Sequence, residues 1–497
     1  MTLATAVQAQ FKYTINANLT VTITGYTGPG GSVSVPDTTN GLTITGIGNS
    51  AFAGSSVTDI FIPNSVTNFG QAAFGGCDSL LTINVDLNNG SYSSAEGVLF
   101  DKIQSTLVLC PHARVGDYTI PTGVTTVAGG AFSNCTALSS VTLPGTITTI
   151  GDYACQSCAN LHSITIPDSV INIGANAFNN CTSLTNATMG NSITSFGPAA
   201  FGGCTSLSNV KLGDSVINIP YSAFSGCSSL TSVAIPDNVT NIDAYAFASC
   251  TSLTNATVGN SVVNIGDSAF GSCANLSTVT IPNSVTNIGS QAFAHCVNLV
   301  NLTIGNSVAN IGFAAFAFCK LSTLTIPSGD INNGAFEYCN NLTTVVLGKN
   351  VTGIGTATFG YCPSLAGVYF LGNAPYNFTL YGVTGVGNQP FIGSDLSIIY
   401  YLPGTMGWGT TFAGRPALPI NIQIQNGDVA SFGVQTNQFG FNVTGSYGLI
   451  VVVEATTNLR NAVWYPLQTN TLTGASFYFS DAQWTNYPSR FYRIHSP

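Results

Sequence analysis

Charge is what this chain has least of. Asp, Glu, Lys and Arg together make up 6% of its 497 residues, against about 25% in an ordinary globular protein. Ten Lys and Arg spread over that length form no basic stripe to neutralise phosphates, which argues against nucleic acid as a partner. The net charge of −9 is dilute and serves solubility more than steering. Long apolar runs are missing too. The longest notable one, Leu449 to Val453, falls far short of the roughly 20 residues that span a bilayer, so no membrane span is expected. Four His and 19 scattered carboxylates show no pair at catalytic spacing, so neither an enzyme, a cofactor nor a metal site is expected. A full secretory leader is also lacking. The start, "MTLATAVQAQF", has no charged n-region, yet Val7-Gln8-Ala9 before Gln10 offers the small-x-small pattern of a cleavage site. Residues 1–9 therefore read as the remnant of a signal peptide, on a protein that is secreted or displayed outside the cell.

What the chain has in abundance is one phrase. An aromatic follows a small residue at Phe52, Phe74, Phe132, Phe178, Phe201, Phe224, Phe247, Phe270, Phe293, Phe316, Phe336 and Phe359, and from Phe178 to Phe316 every step is 23 residues. A fixed period of 20 to 50 residues is the signature of a solenoid. Each unit divides into three parts. Leu184-Thr-Asn-Ala187-Thr-Met189 has the L-x-x-L-x-L spacing of a strand in a parallel sheet. A turn follows, in which Pro or Gly (Pro167, Gly190, Gly213, Pro236) precedes Asp or Asn (Asp168, Asn191, Asp214, Asp237). The third part, Ile173-Gly-x-x-Ala177-Phe178-x-x-Cys181, places Phe and Cys three apart, as on one face of a short helical turn. One unit cannot bury its Phe, Leu and Ile alone. Stacking buries them, each gaining roughly 1.5–3 kcal/mol, and stability then resides in unit-to-unit interfaces.

This phrase, "sVtnIG-x-x-AF-x-x-C-x-s-L-t-x-v-t-I-P", resembles the BspA-type leucine-rich repeat of bacterial and protist surface proteins, from about residue 31 to about residue 419. Residues 88–121 are similar to an insertion that these proteins carry, a pair of extra strands between units, and 391–408 to their degenerate last unit. The resemblance implies a curved solenoid outside the cell, with binding or adhesion as its role and no catalytic residues. The expected organisation is a β cap at 10–31, a solenoid at 32–419 with an insertion at 86–121, and a small C-terminal β-sandwich at 420–497, where the repeat stops and short alternating strands begin. The step from Cys319 to Cys339 is only 20 residues, which should kink or tighten the stack. The stretch "LGNAPYNFTLYGVTGVGNQP" reads as a longer loop over the open end.

Fourteen cysteines invite a disulfide or metal reading. Eleven, from Cys135 to Cys362, occupy one column, and Cys77 matches it in an earlier unit. Parallel Cβ vectors in a column do not suit a disulfide, and a straight row cannot surround zinc, so these read as buried free thiols. In Cys155-Gln-Ser-Cys158, Cys155 is Phe132 plus 23 and fills the aromatic slot. His295-Cys296 resembles half of a nucleophile–base pair, but His295 takes a variable position and the pair reads as packing. Cys110 stands alone in the insertion, as the one candidate reactive thiol.

The surface feature that points to function is a threonine column one position before each strand's last apolar residue: Thr142, Thr165, Thr188, Thr257, Thr280, Thr303 and Thr325, interrupted by Lys211, Ala234, Val346 and Tyr369. These side chains face solvent, on the concave side that solenoids use for binding, although Thr is also simply a good exposed strand residue. The reading is a non-enzymatic, monomeric recognition or adhesion protein that binds a protein or glycan through Thr142, Thr165, Thr188, Lys211, Thr257, Thr280, Thr303, Thr325 and Tyr369. The alternative is a carbohydrate- or ice-surface binder that uses the threonine row. Breaks at Lys211 and Ala234, and an aromatic at Tyr369, favour a protein ligand.

Overall fold

The computed structural model describes residues 10–378, 389–425, 432–435, 438–445, 450–460, 462–472 and 476–496, in two compact units, Met1–Leu299 and Val300–Pro497. The signal-remnant reading of residues 1–9 and the loop at 379–388 lie outside the described residues.

Within each unit the regular 23-residue turns are β rungs that bond their neighbours along three ladders, the first interrupted between Asn209–Lys211 and Ser232–Ala234 and the second between Ser195–Phe196 and Asn218–Ile219. The first is the expected strand, as in Ser163–Thr165, Asn186–Thr188 and Asn209–Lys211, paired in parallel with Ile164, Ala187 and Val210 in register and buried. The second is a two-residue strand at Asn172–Ile173, Ser195–Phe196 and equivalents, also parallel. In the sequence this strand is hidden inside the third part of the phrase, because two residues show no periodicity.

The third ladder corrects the helical-turn expectation. Among the described residues the one helix is a 3-10 turn at Trp484–Asn486. The Ala-Phe-x-x-Cys segments instead donate alternate amides to the next rung: Asn176 N–H to Pro198 O, Phe178 to Ala200 O and Asn180 to Gly202 O, at 2.8, 2.7 and 2.8 Å. The intervening amides close tight turns within the rung, such as Asn179 to Asn176 O and Cys181 to Phe178 O. That alternation needs left-handed backbone at Asn176 (φ 55°) and Asn180 (φ 58°). The position before the cysteine is Asn, Gly or Ser as far as Ser272, and the same left-handed backbone is held by His295, Phe318, Tyr338 and Tyr361 in later rungs.

The aromatic column is continuous within stretches of each unit. In the first, rings stack from Phe178 to Phe293 at centroid spacings of 5.1 to 5.5 Å. The hairpin Phe11–Ile15 and Val21–Tyr26 precedes the first rung, with Tyr26 stacked on Phe52 at 5.2 Å. In the second unit, Phe316, Phe336, Phe359 and Phe391 stack in turn. The short 20-residue step does not kink this column: Phe316 and Phe336 lie 5.2 Å apart and 5° from parallel. The missing residues come out of the corner, so one strand, Thr323–Ile331, runs through both ladders and pairs with Thr344–Gly355.

The insertion is a meander of three strands, Tyr92–Ala95, Val98–Asp101 and Thr106–Leu109, rather than a pair. Its last strand rejoins the second ladder beside Thr126–Val127. At the C-terminus two antiparallel sheets form. In one, Ile422–Gln425, Phe432–Gln435 and Ser476–Asp481 pair with Gln438–Gly445; in the other, Ile450–Thr456 lies between Tyr465–Thr471 and Phe491–His495. Phe441, Val443 and Phe479 of the first sheet share a buried cluster with Val451, Val453 and Leu472, which border or belong to the second.

Candidate binding face

Each first-ladder strand has an exposed–buried–exposed pattern, because side chains alternate across the sheet. Two exposed columns result in the first unit. One holds the predicted residues Thr165, Thr188, Lys211, Thr257 and Thr280, with Ala234 among them, and Thr142 extends it; all are exposed. The other, two residues earlier, holds Ser163, Asn186, Asn209, Ser232, Asn255 and Thr278. The sequence reading missed this second column, although strand alternation alone would have found it. In the second unit Thr303 and Thr325 are likewise exposed.

Hydrogen bonding separates this face from the other polar columns. Nearby hydroxyls are consumed between rungs: Thr185 Oγ1 donates to His162 O at 3.0 Å, and Thr254 Oγ1 to Thr231 O at 3.0 Å. The Asp/Asn turn column is consumed too, with Asn191 N–H donating to Asp168 Oδ1 at 2.7 Å and Asn260 N–H to Asp237 Oδ1 at 2.8 Å. Its role is thus a bond across rungs, not only within its own turn. On the second ladder, Asn241, Asn264 and Asn287 each pass a side-chain amide bond to the preceding Asn at 2.6 to 2.8 Å. By contrast, the side chains of Thr142, Thr165, Thr188, Lys211, Thr257 and Thr280 make no hydrogen bond among the described residues. Their donors and acceptors remain available.

Tyr369 is not part of that free face. It lies in the same column, paired Thr325 to Val346 to Tyr369 to Tyr400, but is only 4% exposed. Its ring stacks on Tyr400 at 5.0 Å, and both join the cluster of Phe441, Val443, Val451 and Phe479. The aromatic break in the column is where the C-terminal sandwich packs, not a displayed ligand contact. A sequence shows that the column turns apolar, but not which part of the chain covers it.

The cysteines lie inside. All fourteen are buried and free. In successive rungs the thiol donates to the carbonyl of the preceding aromatic slot: Cys204 Sγ to Phe178 O, Cys227 to Phe201 O, Cys250 to Phe224 O and Cys273 to Phe247 O, at 3.1 to 3.3 Å. Cys155 occupies the aromatic slot and its carbonyl accepts from Cys181 Sγ at 3.1 Å. Cys110 does the same in the insertion. Its amide donates to Ala131 O as Phe132 donates to Ala154 O, and its side chain is buried, which removes it as a reactive thiol. Burial pushes the Cys250 and Cys296 thiols up to about 12. His295 is exposed in left-handed backbone (φ 60°), while the Cys296 thiol is directed inward to Phe270 O. Among the described residues no group of three or more His, Cys, Asp or Glu could hold a metal ion, and no helix is long and apolar enough to cross a membrane.

The profile described as BspA type Leucine rich repeat region, in six copies, matches residues 32–106, 110–230, 172–296 and 263–376, more than half of the chain. Among solved structures, a leucine-rich repeat protein from Bacteroides ovatus is 24% identical, with 79% of this chain and 94% of that chain covered and a TM-score of 0.47. A leucine rich cell surface protein from Faecalibacterium prausnitzii is 26% identical over 73% of this chain and 94% of that chain, with a TM-score of 0.44. A leucine-rich repeat protein from Eubacterium ventriosum is 30% identical over 53% of this chain, which spans 64% of that protein's length, with a TM-score of 0.42. No curated protein matches the chain.

Proposed function

Because this chain belongs to the BspA-type leucine-rich repeat family, we propose that it is an exported, monomeric recognition or adhesion protein with no catalytic site. Its partner is a macromolecule held on the strand face of the first unit, through Thr142, Thr165, Thr188, Lys211, Thr257 and Thr280. The carrying observation is that these side chains are uncommitted while the columns of Thr185 and Thr254, of Asp168 and Asn191, and of Asn241 and Asn264 are spent on bonds between rungs. A face of short hydroxyls and one cation suits an uncharged or weakly acidic partner surface, with hydrogen bonds rather than charge pairs giving specificity. Thr303 and Thr325 offer the same chemistry in the second unit. Residues 10–31 serve as the cap of the array, and residues 420–497 as a module that covers its apolar end.

A glycan or an ice surface is the second reading, favoured by the absence of long charged side chains from most of the column. It is weakened by Lys211 and Ala234, which interrupt the hydroxyl row. Parallel screening of the purified chain on an array of extracellular-matrix proteins and on a glycan array separates the two. The proposal expects saturable binding to a protein that Thr257→Glu with Thr280→Glu abolishes. Binding confined to glycans and lost in the same variant would replace it with the second reading.

A further inference from the structure

Every rung of the strand face offers nearly the same hydroxyls, so a partner bound to the row meets equivalent groups after sliding by one rung. The row alone therefore fixes neither the register nor the direction of what it holds. Across both exposed columns, from Gly116–Thr119 to Thr278–Thr280, two charged side chains break the repeat. They are Asp117 and Lys211. Ser, Asn and Thr fill the other positions, apart from Ala234.

Asp117 is exposed on the strand Gly116–Thr119, opposite Ser140 of the next rung. Ser139 Oγ and Ser140 Oγ both donate to its Oδ1 at 2.8 Å, while Oδ2 accepts no hydrogen bond among the described residues. Those two bonds hold the carboxyl below its ordinary pKa, so it is ionised at neutral pH. The carboxylate is thus aimed in advance with one oxygen to spare. Arg114, the cation three residues earlier, is spent on Glu96 at 3.2 Å and on the Tyr118 ring at 4.4 Å. Lys211 is exposed too, and forms no ion pair among the described residues. In its column the next rung holds only the short side chain of Ala234, which leaves room beside the ammonium group.

From Asp117 the column passes through Ser140, Ser163 and Asn186 to Asn209 on the rung of Lys211, with the His162 amide joining the second and third of these rungs through Ser139 O at 3.2 Å. Those steps cover roughly 19 Å at the usual strand spacing, the reach of about six residues of extended chain. We propose that the first unit holds an extended polypeptide segment across these rungs, with a basic side chain on Asp117 Oδ2 and an acidic one on Lys211, and that these two contacts fix its register and direction. The inference rests on the strand face being the binding surface. Hydrogen bonds to the row form in any register, and complementary charges select one of them. A partner with opposite charges at that separation is a protein: ice or a neutral glycan offers neither charge, and an acidic glycan offers only one.

The probe is a phage-displayed library of random dodecapeptides, selected on the immobilised full chain. Enriched sequences are expected to carry a Lys or Arg and an Asp or Glu about six residues apart, always in the same order. For the best of them, labelled with fluorescein and followed by polarisation, Asp117→Asn and Lys211→Gln should each weaken binding about fivefold with an unchanged melting curve. Lys211→Glu should be rescued by exchanging the peptide's acidic residue for Lys. Thr142→Trp with Thr165→Trp blocks the row between the two charges without altering charge, and should abolish binding. Peptides that bind this double variant as they bind the parent would overturn the reading of the strand face itself. Peptides lost in it, but without the charge pair or indifferent to Asp117→Asn and Lys211→Gln, would keep the face and overturn the register proposal. A library that yields no enriched sequence would overturn the register proposal as well.

Discussion

The cysteine of each rung is best understood through one bond. A thiol has the volume of a small apolar group and one weak donor, and each rung presents it with a buried carbonyl on the preceding aromatic residue. Cys227→Ala removes both the contact and the donor, and should cost about 2 kcal/mol in urea unfolding. The thiols also set a pH limit. Cys250 and Cys296 ionise near 9.0 when free and near about 12 when folded. Above pH 9 the unfolded chain therefore binds fewer protons than the folded one. Stability from these groups is fully present below pH 9 and is lost as pH rises toward 12. The urea midpoint should accordingly be flat through neutral pH and fall above about pH 9; a midpoint that stays flat there would show that folding does not bury the thiols. Column geometry in the sequence was enough to read these cysteines as unbonded. The donor role, and the left-handed backbone beside them, were not legible, since both depend on where the neighbouring rung places its carbonyl.

At the scale of elements, the sequence announces whatever recurs and hides whatever depends on contact between distant segments. The 23-residue period located the first-ladder strands because their buried residues, such as Ile164, Ala187 and Val210, repeat in phase. The Ala-Phe-x-x-Cys turn looked helical because a three-residue spacing suits both a helix and a pair of tight turns, and only the amides' partners distinguish them. Tyr369 looked like a ligand contact because nothing local says that the sandwich covers it. Replacing Tyr369 and Tyr400 with Ala together should open that junction. The expected result is faster proteolysis between residues 420 and 450 with an unchanged melt for the repeats before it. A single shared transition that moves as a whole would argue that the sandwich and the solenoid's end unfold together.

Over the whole molecule, nearest-neighbour stacking should make damage local. Phe224 packs between Phe201 and Phe247 at 5.5 and 5.3 Å, and Phe224→Ala should cost roughly 3–5 kcal/mol. In a one-dimensional array that loss appears first as faster hydrogen exchange in the rungs beside it, with protection kept several rungs away. Rung-to-rung bonding consumes the columns of Thr185, Asp168 and Asn241 and leaves the hydroxyls of the strand face unbonded, as the proposed recognition face requires. Two matched pairs of Thr→Ala changes test it most directly. Thr257 and Thr280 lie on the free face. Thr240 and Thr286 are exposed on the second ladder, where their hydroxyls donate to Ile217 O and Val263 O at 3.2 and 3.3 Å. The measurement is the Kd of each double variant for a bound macromolecule, alongside its melting curve. The Thr257/Thr280 variant should melt as the parent does but bind at least about tenfold more weakly, whereas the Thr240/Thr286 variant should lose a little stability and no affinity. Equal loss of affinity in both, or loss only in the Thr240/Thr286 variant, would contradict it.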